Sequence, residues 1–145
     1  MRLDRTLVAI LLLSLAGLAV SGYLTWVYTS NTVAMCFGSD GCDAVQHSPY
    51  ARLLGIPIPT LGAAGYLVLT GLSVAALRLK QRQEMLTLGL FGVALVGVLF
   101  SGYLTYLELF VIRAICTWCV VSAVIMLITF LLTVHAYRQT GREVE

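Results

Sequence analysis

The chain alternates between long apolar runs without charge and short stretches that collect its charged residues. No Asp, Glu, Lys or Arg occurs in residues 6–39, 53–77, 85–107 or 114–137, which are runs of 34, 25, 23 and 24 residues. A helix needs roughly 20 apolar residues to cross about 30 Å of hydrocarbon. The pattern therefore predicts four transmembrane helices.

The predicted spans cover residues 7–28, 60–79, 86–108 and 116–137. Helices are favoured over barrel strands because the runs are long and evenly apolar, and because lipid offers the backbone no hydrogen-bond partner. We therefore expect an all-α membrane protein, with a single transmembrane domain over residues 1–145 folded as a four-helix bundle. An outer loop, residues 29–59, follows helix 1 and is expected to hold a short interfacial helix.

Composition separates this chain from ordinary soluble proteins. Hydrophobic residues make up 59% of the sequence and charged residues 11%, with a mean hydropathy of +0.92, whereas soluble domains are about 25% charged. The net charge of +2 reflects how the basic residues are distributed across the membrane. It does not indicate a nucleic-acid partner.

The basic residues also predict the orientation. With the N-terminus in the cytoplasm, most of them fall on the inside: Arg2, Arg5, Arg78, Lys80, Arg82, Arg138 and Arg142. Only Arg52 and Arg113 fall outside, which is a clear positive-inside bias. Both chain ends are then cytoplasmic, and residues 29–59 and 109–115 face outward. The sequence predicts a multi-pass protein of the inner or plasma membrane.

A short motif recurs along the chain. Residues 21–25 read Ser-Gly-Tyr-Leu-Thr, and residues 101–105 repeat them at an offset of 80. The same offset relates Cys36 to Cys116, and over 21–36 against 101–116 seven of sixteen positions are identical. We interpret the two helical hairpins as parallel repeats, related by an axis along the membrane normal.

Two pairs of cysteines fall in the predicted outer segments. Cys116 and Cys119 form a C-x-x-C motif at the start of the fourth span. Positions three apart share a face of a helix, so the two sulfur atoms can exchange or bond. The first turn of a helix also stabilises the thiolate, the species that attacks disulfides. Cys119 lies one turn deeper, where a hydrophobic electron acceptor would approach.

The other pair, Cys36 and Cys42, flanks a loop with two glycines. A disulfide across this loop is easily closed and is exposed to a protein partner. A static disulfide is an alternative interpretation, because outside the cytoplasm an even number of cysteines usually means structural bridges. A third is a four-thiolate metal site, with His47 as a further ligand. The oxidising side of a membrane disfavours four free thiolates, so no metal is expected.

Five further residues near the outer face can be given an expected role. Ser48 could donate a hydrogen bond to a quinone oxygen, or it could cap a helix. Pro57 and Pro59 fit the first turn of the second span. Glu108 and Arg113 bracket the second outer turn, where snorkelling or ion pairing is expected.

The order of these elements resembles the bacterial branch of the vitamin K epoxide reductase family. A loop pair of cysteines follows helix 1, and then come Cys-Asp-x-Val-x-x-Ser-Pro-Tyr at residues 42–50 and Leu-Gly-Ile-Pro at 54–57. A C-x-x-C then opens helix 4. The resemblance covers residues 8–137, and it is the combination of motifs at matching spacing that is specific.

The resemblance implies a function and roles for the residues. Cys116 and Cys119 would be the active-site pair of a thiol–quinone oxidoreductase, with Cys119 facing the quinone, either menaquinone or ubiquinone. Cys36 and Cys42 would take electrons from a thioredoxin-like partner outside the cytoplasm and pass them on through Cys42 to Cys116. Ser48 matches the loop serine of the family.

Two departures refine this expectation. Many bacterial members carry a fused thioredoxin-like domain after the bundle, which this sequence lacks, so the partner is expected to be a separate protein. Vertebrate members have a tyrosine four residues after the second active-site cysteine, where this chain has Ala123. Plain quinone reduction therefore fits better than epoxide reduction.

Two alternatives to this family remain. Another family of four-helix disulfide-generating oxidases has its C-x-x-C after helix 1, which is the opposite order. A membrane scaffold with two structural disulfides would need no quinone.

Overall fold

Four long helices make up most of the structure, a computed structural model that describes residues 2–30, 52–53, 56–113 and 117–144. The helices are α1 (Arg2–Ser30), α2 (Ile58–Arg78), α3 (Gln83–Tyr106) and α4 (Thr117–Val144). A 3-10 turn, Lys80–Arg82, joins α2 to α3, and a π-helical segment, Leu107–Ile112, prolongs α3.

Each helix is long and apolar enough to cross a membrane. The candidate spans are Leu3–Val27, Ile58–Arg78, Lys80–Val111 and Thr117–Arg142. The prediction of an all-α membrane protein with a four-helix bundle is therefore confirmed. Several helices also reach beyond the predicted spans, and α4 continues to Val144. Charge-free runs mark the part of a helix that suits lipid, whereas Arg, Gln and Glu at its ends are good helix formers.

The predicted outer loop is described only near its end. There, β1 (Arg52–Leu53) pairs antiparallel with β2 (Ile56–Pro57), so this stretch is extended rather than helical. The expected short interfacial helix otherwise falls on residues 31–51, which lie outside the described residues. Pro59 is the second residue of α2, in the first turn as predicted, where the missing N–H of proline breaks no helical hydrogen bond. Pro57, which was expected there too, instead ends β2 just before the helix.

The helices form a ring in which chain neighbours pack together and α4 closes against α1. Lys80 Nζ donates to both carboxylate oxygens of Asp4 at 2.7 Å, and Thr6 Oγ1 donates to Gln139 Oε1 at 3.2 Å. These bonds bring the start of α1 together with the ends of α2 and α4. We call this the terminal end of the bundle.

The opposite end is marked by the ring contact of Tyr23 on α1 with Trp118 on α4, whose centroids are 5.3 Å apart. We call it the Cys119 end. Successive helices are therefore antiparallel, while α1 and α3 run in the same direction on opposite sides of the ring. This arrangement agrees with the parallel repeats inferred from the sequence.

The core runs along the bundle axis with contributions from every helix. Its buried apolar residues are Leu3, Leu7, Ile10, Tyr66, Leu69, Ala76, Leu90, Ala94, Met126 and Ala136. Buried hydroxyls bond to the carbonyl one turn earlier, as when Ser14 Oγ donates to Ile10 O and Ser73 Oγ to Leu69 O, both at 2.7 Å. Such bonds satisfy polar groups where water is absent.

Large apolar side chains also remain exposed around the bundle, on every helix. Examples are Leu12, Leu67, Leu99 and Leu131. A soluble protein rarely exposes so much contiguous apolar surface. On a four-helix membrane protein, these side chains form the face that contacts lipid.

Candidate functional site

A cavity of about 350 Å³ opens at the Cys119 end, with walls from all four helices. Its size lies within the range of small-molecule sites, which are typically apolar with a few well-placed polar groups. Most of the wall is apolar, including Leu24, Leu61, Val93, Phe100 and Met126. The polar side chains on it are Ser21, Tyr66, Ser101, Thr105, Glu108, Cys119 and Ser122.

Both copies of the repeated motif contribute to this wall. Ser21 and Leu24 line it from α1, and Ser101 and Leu104 line it from α3 on the opposite side. The copies also share a local bond: Thr25 Oγ1 donates to the carbonyl of Ser21, as the matching threonine does to Ser101, at 2.8 Å in each case. The internal repeat of the sequence thus supplies two facing walls of one cavity.

Tyr66 sits at the inner end of the cavity. Its side chain is 1% exposed, and its hydroxyl donates to the carbonyl of Ser122 at 2.8 Å. The Tyr66 hydroxyl also lies 3.1 Å from Ser122 Oγ. A Cβ atom at Gly17 would overlap the Tyr66 ring, so the ring occupies the space that this glycine leaves. The cavity floor is therefore fixed by α1, α2 and α4 together.

Cys119 is the third residue of α4, as the C-x-x-C motif predicts, and it is half-buried on the cavity wall. Ser122, Ala123 and Met126 follow it along the same wall, at the spacing of one helix face. Trp118 instead packs against Tyr23, which joins the first turn of α4 to the end of α1. The thiol thus faces an apolar chamber inside the bundle.

The remaining predicted site residues are Cys36, Cys42, Ser48, His47 and Cys116, and all lie outside the described residues. Their pairings and roles stay predictions. Cys116 directly precedes α4 in the chain. Among the residues that the structure describes, no group of three or more His, Cys, Asp or Glu side chains is arranged to hold a metal.

Sequence reasoning missed several residues of the cavity. Glu108 was expected either to snorkel or to form an ion pair; its side chain is only 6% exposed, so it does not snorkel to water, and it lines the cavity, which was not predicted. The available signal was its position, since it is a lone carboxyl that directly follows a 23-residue uncharged run. Ser21 and Ser101 were visible as members of the repeat. Nothing in the sequence distinguished Tyr66 from other apolar helix positions.

Two comparisons with known proteins bear on this site. The profile of the family described as "Vitamin K epoxide reductase family" matches residues 8–134. The chain is also similar to "Thiol-disulfide oxidoreductase LTO1" of Arabidopsis thaliana, with 30% identity over 120 residues. That alignment covers 79% of this chain and 32% of the plant protein, so the chain spans about a third of the length of this relative.

Proposed function

Because the chain belongs to the vitamin K epoxide reductase family, we propose that it is a membrane oxidoreductase that passes two electrons from a thioredoxin-like dithiol protein to a membrane quinone. The observation that carries the proposal is the position of Cys119 on the wall of an apolar cavity that all four helices line. The name of the plant relative, a thiol–disulfide oxidoreductase, supports thiol chemistry.

The cavity suits a quinone in its chemistry. A quinone is a flat apolar ring with two carbonyl oxygens, and here apolar side chains surround a few hydroxyl groups. The hydroxyl groups of Ser21 and Ser101 offer hydrogen-bond donors on the wall. Such a donor favours the oxygen of a quinone over an apolar group of the same size. Menaquinone and ubiquinone both present these features.

The overall reaction balances without a further reactant. A dithiol loses two electrons and two protons to become a disulfide, and the quinone gains both to become a hydroquinone. The proposed route runs from the partner protein to Cys36 and Cys42, then to Cys116 and Cys119, and finally to the quinone. Ser48 would contribute a hydrogen bond to the quinone from the outer loop.

The proposed location follows from the distribution of charge. The terminal end carries Arg5, Arg78, Lys80, Arg82 and Arg138, so it is placed in the cytoplasm. The Cys119 end then faces the extracytoplasmic side, where disulfides persist. The protein would thus drive disulfide formation in proteins outside the cytoplasm.

The test is quinone reduction by the purified protein in lipid nanodiscs. A reduced thioredoxin-like protein and a short-chain quinone are supplied, and hydroquinone is measured by its absorbance. We expect wild-type protein to form hydroquinone and the Cys119→Ala variant to form none above background. Val120→Ala is the control, because this side chain is the next along α4 and is 42% exposed.

A Cys119→Ala variant that kept near-normal turnover would exclude the quinone-facing role of this thiol. Wild-type protein that neither reduces nor binds quinone would favour the alternative, a scaffold with structural disulfides. A metal bound by the purified protein, detected by elemental analysis, would favour the four-thiolate site.

A further inference from the structure

Glu108 is a carboxyl group inside a membrane-spanning segment. It falls within the candidate span Lys80–Val111, its side chain is 6% exposed, and it lines the same cavity as Cys119. Burying a carboxyl in an apolar setting is costly, and ionisable residues inside membranes commonly mark proton or substrate paths. A position at the end of a span would normally let the side chain reach water, and this one does not.

The position of Glu108 relative to α3 explains why it faces the cavity. It lies one turn after Leu104 and Thr105, which line the same wall, so it continues one face of the helix. Leu109 and Phe110, which follow directly, are 49% and 66% exposed. Glu108 belongs to the π-helical segment that prolongs α3, and single turns of this kind occur frequently at functional sites.

The proposed reaction creates a need for such a group. Oxidation of the dithiol releases two protons, and reduction of the quinone consumes two, inside a chamber with mostly apolar walls. The hydroxyls of Ser21, Ser101 and Thr105 can hydrogen-bond, but they do not readily give up or accept a proton at neutral pH. Glu108 is the one carboxyl on the described part of the wall.

We propose that Glu108 transfers protons in the quinone reaction, taking a proton from the thiol at Cys119 and delivering it to a quinone oxygen. This role rests on the proposed function. Oxidation of the dithiol releases two protons: one passes from Cys119 through Glu108 to a quinone oxygen, and the other is exchanged with water as the second quinone oxygen is protonated. Glu108 returns to its starting state. The two electrons travel from sulfur to the quinone and do not pass through Glu108.

On the described part of the cavity wall, the other titratable side chains are Tyr66 on α2 and Cys119 on α4, and the lining residues of α1 are Ser21 and Leu24. The Tyr66 hydroxyl is already bonded to Ser122. Arg113, which is exposed, ends the π-helix with its N–H donating to the carbonyl of Glu108. If the reaction rate changes with pH because a carboxyl group titrates, substitution of Glu108 will therefore show whether that group is Glu108.

The experiment compares Glu108→Gln and Glu108→Asp with wild-type protein in nanodiscs. Dithiothreitol is the donor and a short-chain benzoquinone is the acceptor, so the loop cysteines and the partner protein are not limiting. We measure kcat and the KM for quinone across pH, together with the thermal unfolding temperature. Glu84→Gln is the matched control, because Glu84 is exposed on α3 at the terminal end.

Glutamine keeps the size of the side chain and removes the exchangeable proton. We expect Glu108→Gln to lower kcat by roughly 10²-fold or more, the usual contribution of acid–base catalysis, with the KM for quinone little changed. The part of the pH dependence of kcat that reflects titration of the carboxyl group should disappear. Glu108→Asp should restore part of kcat and this pH dependence, and Glu84→Gln should behave as wild type.

Two results would overturn the proton role while leaving the proposed function intact. One is a Glu108→Gln variant with wild-type kcat and an unchanged pH profile. The other is a loss of kcat that comes with a lower unfolding temperature and a profile of unchanged shape, which would make Glu108 structural. Absence of hydroquinone from wild-type protein would instead reject the proposed function and this role with it.

Discussion

Gly17 shows how a single residue sets the spacing of two helices. Its position on α1 faces the ring of Tyr66, and a Cβ atom there would come within 2.6 Å of Tyr66 Cδ1. Small residues let membrane helices approach closely, and packing rather than the hydrophobic effect holds such helices together. The Tyr66 ring cannot easily move aside, because its hydroxyl is bonded to Ser122. Gly17 therefore leaves the space that the Tyr66 ring occupies at the inner end of the cavity.

We expect Gly17→Ala to destabilise the bundle by about 1–3 kcal/mol, the usual range for overpacking a core. The measurement is reversible unfolding in mixed micelles. The control is Gly22→Ala on the same helix, because a Cβ atom at Gly22 meets nothing within 4 Å. That variant should be as stable as wild type or more stable by up to about 1 kcal/mol, because alanine favours the helix over glycine. Equal stabilities for the two variants would mean that the close approach at Tyr66 is absent.

Among the elements, α2 and α4 stand across the ring from each other, yet Tyr66 connects them. Its hydroxyl bonds Ser122 on α4 while its ring packs over Gly17 on α1. One side chain thus braces three helices beneath the cavity. The bond gives the buried Tyr66 hydroxyl its acceptor on α4, and it therefore favours one spacing of the helices.

We expect Tyr66→Phe to remove this brace while keeping the ring in place. The loss should be about 0.5–1.5 kcal/mol of unfolding free energy, the usual net value of one hydrogen bond. Tyr103→Phe is the matched control, since Tyr103 is 56% exposed and does not line the cavity. Unfolding of both variants in the same micelles provides the comparison. A larger effect at Tyr103 would contradict the brace.

The elements also show how much of the fold and of the site can be predicted from the sequence. Charge-free runs predicted four helices because lipid excludes charge, and the start of the fourth run predicted a thiol, Cys119, in the first turn of α4. The burial of Glu108 on the cavity wall depends on how the end of α3 packs against the other helices, which hydropathy does not encode. The brace at Tyr66 depends on how three helices approach one another, which no local pattern encodes.

At the scale of the whole molecule, the two ends of the bundle differ in charge and in chemistry. The terminal end collects Asp4, Lys80 and most of the other basic residues, and the Cys119 end holds the cavity. The asymmetry gives the protein a direction in the membrane. Under the proposed function, that direction decides which compartment supplies its electrons.

We expect opposite ends to be labelled from opposite sides of the membrane. Two variants are made in a background with the four native cysteines replaced by serine: Arg113→Cys at the Cys119 end, and Gln81→Cys in the turn between α2 and α3. Both positions are exposed. A membrane-impermeant thiol reagent applied to intact cells should label only the first, because the positive-inside rule places the second in the cytoplasm. Lysed cells should show labelling of both, which controls for reactivity. The reverse pattern in intact cells would invert the proposed topology.

The closure of the ring by α1 and α4 has a consequence for biosynthesis. Thr6 and Gln139, whose side chains are bonded, are 133 residues apart in the chain. Of the four helices, α1 is synthesised first and α4 last. Until α4 is made, α1 can pack against α2, but the side of α1 that contacts α4 has no partner helix. Contacts between such distant segments form late. Four of the residues that enclose the chamber, Cys119, Ser122, Ala123 and Met126, arrive only with the final helix. The nascent protein thus has no closed chamber around Cys119 until α4 has entered the membrane.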